Sequence, residues 1–337
     1  MGLNMGMWSK YKLRIERKRR RIRSLRKRRD LECVVDRSAQ TKPGDIFLFT
    51  TFRNEKPRLK FFLEYYRRLG VTHFFCVDNG SDDGGREYLE TETDVSLWTT
   101  EKSYKRANFG VDWLNGLKSK YAIGHWVLVV DVDEFFVYPH CDARPLKALT
   151  DWLDQYEIES FGTLMIDMYP KGRVEEARCA EGKNPMRATP FFDSGNYTTE
   201  LNAKYRNLWI QGGVRQRVFF KDKPEIAPSL NKIPLVKWSR GNVFVGSTHS
   251  ILPRRLNIVY DRKGGQNICG CLMHTKFLNT FSNKVEEELK RKEHYAASRE
   301  YKEYASTSEE MWTRHSVRYK NWKQLEELGL MSRGNWA

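Results

Sequence analysis

The first segment of the chain repeats apolar residues at alternating three- and four-residue steps among many cations. Trp8, Tyr11, Ile15, Ile22 and Leu25 follow this spacing, with a lysine in the one missing place. The pattern predicts a basic amphipathic helix. Such a helix either lies on an anionic membrane surface, grips nucleic-acid phosphates or extends into solvent as a tail.

From residue 45 onward the pattern changes to short apolar runs that alternate with helical segments. The predicted strands cover residues 45–51, 72–77 and 125–130, and the predicted helices cover residues 56–69, 86–90 and 108–120. Strands that alternate with helices at this spacing indicate a mostly parallel α/β sheet with helices on both faces.

Polar clusters follow all three predicted strands. They are Thr50 to Glu55, Asp78 to Asp83, and Asp131 to Glu134. Ligands of such sheets bind at the carboxyl ends of the strands, so we expect the three clusters to meet in space. Acidic residues at all three strand ends also argue against a protein whose main role is to bind a polyanion.

The third cluster contains two carboxylates, Asp131 and Asp133, directly after the most apolar strand. In extended geometry residues two positions apart point the same way. Two hard oxygen ligands on one side favour a Mg²⁺ or Mn²⁺ site that also grips a substrate diphosphate. The metal would neutralise charge on a diphosphate leaving group.

The same pair of aspartates occurs in haloacid-dehalogenase-like phosphatases, where it supplies the nucleophile and the acid/base. That family needs Thr or Val two residues after the second aspartate, and this chain has Phe135 there. Its motif also belongs to the first strand of the domain, whereas two strand-and-loop units precede Asp131. Both differences argue against a phosphatase, which stays only as an alternative hypothesis.

The second half of the sequence carries weaker patterns. Strands are predicted at 161–168 and 231–237, the latter with Lys232 as an anion-binding candidate. The run Gly212 to Phe220 predicts an alternating strand on which Arg215 and Arg217 share one face. After residue 281 the charged sequence predicts a helical tail that covers the sheet or binds a partner.

Composition limits the function classes further. With 337 residues, 40% of them hydrophobic, the chain has enough apolar material for one large or two small domains. The formal net charge is +16, but thirteen Lys and Arg against two acids in residues 10–30 supply most of it. The six cysteines are scattered, which favours neither a disulfide framework nor a zinc ribbon. Without an apolar membrane-spanning run, we expect a cytoplasmic protein, peripheral on the inner membrane face if the basic helix binds lipid.

Three segments together resemble glycosyltransferase family 2-like proteins of the GT-A fold: residues 50–55, 70–83 and 130–135, within a resemblance over about residues 45–280. The resemblance implies a Rossmann-like GT-A sheet and sugar transfer from a nucleotide donor, a UDP-sugar by expectation, to a glycan, lipid-linked or polysaccharide acceptor. It implies Thr50, Arg53 and Glu55 along the nucleotide and Asp78 at the base or ribose. Asp131 and Asp133 would then carry the Mn²⁺ or Mg²⁺ ion.

By the same resemblance a late histidine, His274, is the expected third metal ligand, and Lys276 faces the diphosphate. The downstream Glu-Asp pair that carries the base in well-known family members is not found, so Asp193 and His249 are the catalytic candidates. The predicted domains are a basic segment at 1–42, the GT-A domain at 43–280 and the tail at 281–337. A nucleic-acid binder with a non-catalytic domain and an interaction scaffold stay open as other classes.

Overall fold

A computed structural model describes residues 6–260, 267–282, 285, 287, 291, 303–304 and 310–336. Its centre is a nine-stranded sheet. The strands of this sheet are β1 (Glu32–Val35), β2 (Ile46–Phe52), β3 (His73–Asp78), β4 (Val95–Thr99), β5 (Trp126–Val129), β6 (Glu134–Val137), β7 (Ser160–Asp167), β11 (Asn231–Lys237) and β14 (Cys269–His274). They are ordered β1-β4-β3-β2-β5-β11-β7-β14-β6 across the sheet. Three two-stranded pairs are formed by β8 (Phe191–Phe192) with β15 (Val317–Arg318), β9 (Thr198–Asn202) with β10 (Asn207–Gln211), and β12 (Val243–Phe244) with β13 (Ile251–Leu252).

Six of the nine strands run in one direction. Strand β2 pairs in parallel with β3 and β5, and β3 pairs in parallel with β4. Strand β11 is antiparallel to both β5 and β7, which restores the common direction in β7 and in its parallel neighbour β14. The predicted mostly parallel, Rossmann-like α/β sheet is confirmed, and the carboxyl ends of β2, β3, β5, β7 and β14 lie at one edge.

Helices cover both faces of the sheet. They are α1 (Met7–Lys27), α2 (Lys56–Leu69), α3 (Gly85–Thr91), α4 (Val111–Tyr121), α5 (Leu146–Gln155), α6 (Pro185–Ala188), α7 (Gly213–Phe219) and α8 (Trp322–Glu327). Alternate residues of β2 explain the two layers, because Leu48 packs in the cluster of α2 and α5 while Phe49 packs in the cluster of α4. Helix α2 ends at Gly70, whose φ of 104° gives the left-handed cap expected from the sequence.

The predicted basic helix is confirmed as α1, and it packs against α4. The two helices approach closely at Gly116, where a Cβ atom would lie 2.7 Å from the carbonyl oxygen of Ser24. Arg23 adds an ion pair of 2.6 Å to Asp112, and the Ser24 hydroxyl donates to the same carboxylate. The segment is therefore a docked helix rather than a solvated tail.

The strand predicted at Gly212 to Phe220 is wrong, because residues 213–219 form helix α7. Val214 and Val218 lie one helical turn apart and are both buried, so the run satisfies a helical period as well as an alternating one. Arg215 and Arg217 consequently do not share a strand face. Each forms its own ion pair, with Asp167 and Asp193 respectively.

The predicted domain division stays a prediction. Much of the charged sequence between residues 283 and 309 lies outside the described residues. Farther along, Trp322 and Leu325 of α8 are buried in the same core as the sheet, and the amide of Cys269 donates to the carbonyl of Ser332. No helix within the described part of the chain is long and apolar enough to cross a membrane.

Candidate active site

The shared edge of the sheet opens into a cavity of about 850 Å³. This volume lies in the range of pockets that hold small-molecule ligands. Seven of the ten residues predicted for the site line it: Arg53, Glu55, Asp131, Asp133, His249, His274 and Lys276. Thr50, Asp78 and Asp193 are not among its lining residues. The convergence of distant sequence segments expected from the strand ends is therefore observed for most of them.

The carboxylate motif forms the turn between β5 and β6. Asp131 and Asp133 lie in a tight turn, so the predicted extended geometry is wrong, although both side chains still line the cavity. The amide of Glu134 donates to the carbonyl of Asp131, and the amide of Asp131 donates to the Glu134 carboxylate at 3.2 Å. Val132 is buried between the two aspartates and anchors the turn to the core.

A buried ion pair supports this turn from below. Nζ of Lys232, on β11, lies 3.0 Å from Oε1 of Glu134, and both side chains are almost fully buried. Because β11 runs opposite to its neighbours, its first residues lie at the edge where theirs end. Burial lowers the pKa of Lys232, but Glu134 and Asp131 outweigh it, so the pKa is raised and the lysine keeps its charge.

His274 connects the carboxylate turn to the end of β7. Its Nδ1 lies 2.6 Å from Oδ1 of Asp167, and its Nε2 lies 3.4 Å from Oδ2 of Asp133. The other oxygen of Asp167 accepts from Nε of Arg215 at 2.6 Å. Burial favours the neutral imidazole, yet the Asp133 and Asp167 carboxylates raise the pKa of His274 to about 9. A buried relay therefore runs from Arg215 through Asp167 and His274 to Asp133.

Asp133 and His274 are spaced as two ligands of one hard divalent cation would be. Two ligand atoms that share an octahedral ion at about 2.1 Å are separated by roughly 3 Å, close to the 3.4 Å between His274 Nε2 and Asp133 Oδ2. Burial in the cavity and the neighbouring Glu134 raise the pKa of Asp131, and the charge of Lys232 partly opposes that rise. Across the described ranges, no three acidic, histidine or cysteine side chains are already grouped for coordination.

Glu55 is held at the cavity wall by Arg58 of α2. Nη1 of Arg58 lies 2.7 Å from the Glu55 carboxylate, and the guanidinium is almost fully buried. Burial lowers the pKa of Arg58, but the charges of Glu55 and Asp133 raise it further, so this cation persists. Arg58 thus places positive charge behind the acidic wall of the cavity.

Arg53 shapes the side of the cavity near the end of β3. Its Nη1 donates to the carbonyl oxygens of Asn79 and Gly80, and its Nε lies 2.8 Å from the Glu287 carboxylate. A Cβ on Gly80 would lie 2.9 Å from that Nη1, and the φ of Gly80 is +74°. This glycine is therefore required by both backbone conformation and close contact.

Asp78 and Thr50 lie below this rim. Asp78 is fully buried, and its carboxylate accepts from the amide and hydroxyl of Ser81 and from the hydroxyl of Thr99. It therefore orders the loop, as a turn-capping aspartate does. Thr50 is fully buried as well. Thr51 and Asn79 line the cavity in their place.

The two predicted catalytic residues occupy different surroundings. Nδ1 of His249 lies 2.6 Å from the carbonyl oxygen of Asn231 and 3.1 Å from the hydroxyl of Ser229, and the residue lines the cavity. Asp193 is bound by Arg217 through two contacts of 2.9 and 3.0 Å and by the hydroxyl of Tyr169. Asp193 therefore acts as a partner of Arg217 outside the cavity lining.

Three non-glycine residues on the cavity wall have left-handed backbone conformations. The φ angles are 53° at Asn108, 58° at Phe109 and 46° at Ser247. Such conformations cost about 1–3 kcal/mol each and persist where the surrounding structure enforces them. Their grouping on one cavity is typical of a functional site rather than of an ordinary loop.

Several residues of the site were not predicted from the sequence. Asp167 contacts His274 without lining the cavity, and it lies inside the strand predicted at residues 161–168. Arg215 was recognised as a cation but placed on the wrong element. Trp209, which contributes an aromatic wall, lies at the end of a stretch without clear periodicity.

The known proteins to which this chain is similar include several glycosyltransferases. No family model matches the chain. Glycosyltransferase family 92 proteins are similar to it: one from Oryza sativa subsp. japonica is 34% identical over 104 residues, 29% of this chain and 17% of that protein. Another from Arabidopsis thaliana is 22% identical over 192 residues, 50% of this chain and 32% of that protein. The matches thus span less than a third of these relatives' own length.

Among solved structures, a mannosyltransferase from Pyrobaculum calidifontis in complex with GDP-mannose and Mn²⁺ is 16% identical, with a TM-score of 0.28 over 45% of this chain and 46% of that one. At that TM-score the two chains superpose only in part. The predicted resemblance to GT-A-type glycosyltransferases is confirmed, and the curated relatives carry the family 92 name rather than family 2.

Proposed function

We propose that this chain transfers a sugar from a nucleotide-sugar donor, a UDP-sugar by our expectation, to a hydroxyl of a glycan, lipid-linked or polysaccharide acceptor. One observation carries the proposal: Asp131, Asp133 and His274 line the same cavity as the cations Arg53 and Lys276. The acidic turn would bind the positively charged metal ion, and the basic side chains would bind the negatively charged diphosphate. The similarity to glycosyltransferases supports the same class of reaction.

Asp131, Asp133 and His274 would hold a Mn²⁺ or Mg²⁺ ion. When bound, such an ion supplies positive charge that stabilises the diphosphate leaving group. The chain's own part is to set the ligands: Asp167 accepts from Nδ1 of His274 and thereby directs Nε2 toward Asp133. Because a ligating histidine must be neutral, ion binding would release the proton that the two carboxylates hold on His274 in the absence of metal.

Positive side chains would bind the diphosphate from the other side. Lys276 lies on the cavity wall with its Nζ over the ring of Tyr304 at 4.8 Å. Arg53 is held by two carbonyl oxygens and by Glu287. Because its guanidinium is already ordered at the cavity wall, it would lose little conformational entropy on binding the diphosphate. Arg53, Glu55 and Asn79 together form the wall assigned to the nucleoside.

His249 is the base we propose for the acceptor hydroxyl. The carbonyl of Asn231 accepts from Nδ1, so Nε2 is the nitrogen that would receive the proton. The acceptor oxygen would bond to the anomeric carbon as the bond from that carbon to the diphosphate oxygen breaks, and the hydroxyl proton would pass to Nε2. Asp193, already paired with Arg217, is not included in this assignment.

A thermal-shift screen of nucleotides and nucleotide sugars with and without Mn²⁺ tests the proposal. A ligand at about 100 times its dissociation constant adds roughly 2.7 kcal/mol to the free energy of unfolding, which is readily seen. We expect one nucleoside diphosphate to raise Tm only with metal, and Asp133→Asn to abolish that rise. Asp151→Asn, on the exposed face of α5, is the matched control. If no nucleotide stabilises the wild type in a metal-dependent way, the proposal fails.

A further inference from the structure

Among the described residues, helix α1 contacts the domain through one side. Leu13 and Ser24 are its buried residues, and Arg20 donates to the carbonyl of Val245 at 2.8 Å. Glu16 accepts from the hydroxyl of Tyr205 at 2.9 Å and forms an ion pair with Lys204. These contacts, together with the ion pair of Arg23 to Asp112, hold the helix in one rotational setting.

That setting leaves the apolar stripe of the sequence facing outward. Trp8 is 66% exposed, Tyr11 53%, Ile22 41% and Leu25 44%. Residues at this spacing share one side of a helix, and the buried Leu13 and Ser24 occupy the opposite side. A soluble protein ordinarily turns such a stripe toward its own core, so its exposure calls for another covering partner.

Cations border the exposed stripe on both sides. Counted at the helical repeat, one border is formed by Lys12, Arg19 and Arg26 and the other by Lys10, Arg14 and Arg21. Lys18 lies within the stripe itself. Aromatic and aliphatic side chains along the centre, with lysine and arginine at the margins, match the boundary between headgroups and acyl chains of an anionic bilayer.

We infer that the outward face of α1, defined by Trp8, Tyr11, Ile22 and Leu25 with their bordering cations, binds the surface of an anionic lipid membrane. Nucleic-acid phosphates would satisfy the cations but leave the four apolar side chains in water. A lipid surface satisfies both at once. The inference does not depend on the proposed catalytic activity.

The docking contacts also fix the cavity relative to that membrane surface. Val245 and Tyr205, which bond to α1, both line the cavity. Since a helix is about 10–12 Å wide, the bound lipid surface would lie roughly that distance from this side of the cavity. In a domain held in this way, the side of the cavity lined by Val245 and Tyr205 would lie next to the membrane surface.

Vesicle flotation of the full chain tests the inference. We expect the wild type to float with vesicles that contain phosphatidylglycerol and not with pure phosphatidylcholine, and to be released by high salt. Tyr11→Asp should reduce the bound fraction about tenfold, because it places a negative charge within the apolar stripe. Tyr156→Asp is the matched control, since Tyr156 is 57% exposed at the end of α5 on the other face of the sheet.

A second variant separates charge from apolar contact. Changing Lys12, Arg19 and Arg26 to Gln should lower binding to anionic vesicles while leaving Tm unchanged, because these side chains are exposed. Equal flotation of wild type, Tyr11→Asp and Tyr156→Asp would overturn the inference. So would duplex DNA or RNA that binds the wild type and Tyr11→Asp equally well and displaces both from the vesicles.

Discussion

Nδ1 of His274 lies 2.6 Å from Oδ1 of Asp167, across the paired carboxyl ends of β14 and β7. This contact joins two parallel strands at the register position where both end. It gives His274 a fixed orientation toward Asp133, and the Arg215 guanidinium fixes Asp167 in turn. The relay is built from four elements that are far apart in the sequence: α7, β7, β14 and the turn between β5 and β6.

Asp167→Asn tests the relay. The amide is nearly the same size but lacks the charge that orients and polarises His274, so we expect metal affinity and transfer rate to fall about 10–100-fold. Mn²⁺ titration and initial rates measure the two effects. Because the change leaves Arg215 buried beside a neutral group, Asp167→Asn combined with Arg215→Gln is the control. A double variant with wild-type metal affinity would contradict this role of Asp167.

The buried pair Lys232–Glu134 makes a prediction about stability. Lys232→Met removes one partner and leaves a buried carboxylate uncompensated, which should lower the free energy of unfolding by about 3–5 kcal/mol. Replacing both partners, with Glu134→Leu added, should recover most of that loss. Urea unfolding of the single and double variants measures it, and equal stability of the two would show that the pair is not coupled.

Close packing at Gly116 makes a prediction about α1. Gly116→Ala would place a Cβ 2.7 Å from the carbonyl oxygen of Ser24, so α1 must shift away from α4. We expect tryptic cleavage within residues 10–30 to speed up several-fold. Gly195→Ala, with open space around its Cβ position, is the matched control. Unchanged cleavage in Gly116→Ala would mean that α1 does not depend on this contact.

Glu16 predicts a pH dependence for the docking of α1. Burial raises the pKa of Glu16, but hydrogen bonds from Lys204, Tyr205 and Arg20 outweigh it and lower the pKa below its ordinary value. A carboxylate with a depressed folded-state pKa contributes stability above its unfolded pKa of about 4.3, and this contribution is lost as pH falls through the folded value. The difference in unfolding free energy between wild type and Glu16→Gln should therefore shrink below that pH. If the difference in unfolding free energy stayed constant from neutral to acidic pH, the ionised Glu16 carboxylate would not stabilise the docked helix.

Much of the sheet was predictable because its strands are apolar runs bounded by strong turn signals. Helix α2 was predicted at 56–69 and observed over the same residues, since its apolar face and its terminal glycine agree. Helix α7 was missed because Val214 and Val218 fit two periods at once. The positions of the strand ends predicted where the cavity lies but not which side chains line it. Asp78, for example, is buried and bonds to Ser81 of its own loop.

The binding site was less predictable because it depends on partners brought together by the fold. No local sequence pattern predicts the ion pair of Arg58 with Glu55 or that of Arg215 with Asp167. The direction of α1 was also hidden, since an amphipathic pattern identifies a face without saying what covers it. In this chain the inward face is fixed by buried Leu13 and by polar contacts such as the ion pair of Arg23 with Asp112.

We propose that Asp131, Asp133 and His274 hold the metal on which sugar transfer depends. Release of nucleoside diphosphate from the donor identified by the thermal-shift screen, measured with and without Mn²⁺, tests it most directly. We predict metal-dependent release by the wild type and by Asp151→Asn, and a loss of at least about 100-fold in Asp133→Asn. Equal release by wild type and Asp133→Asn, or release by the wild type that is unchanged when the metal is removed, would show that sugar transfer does not depend on a metal held by these residues.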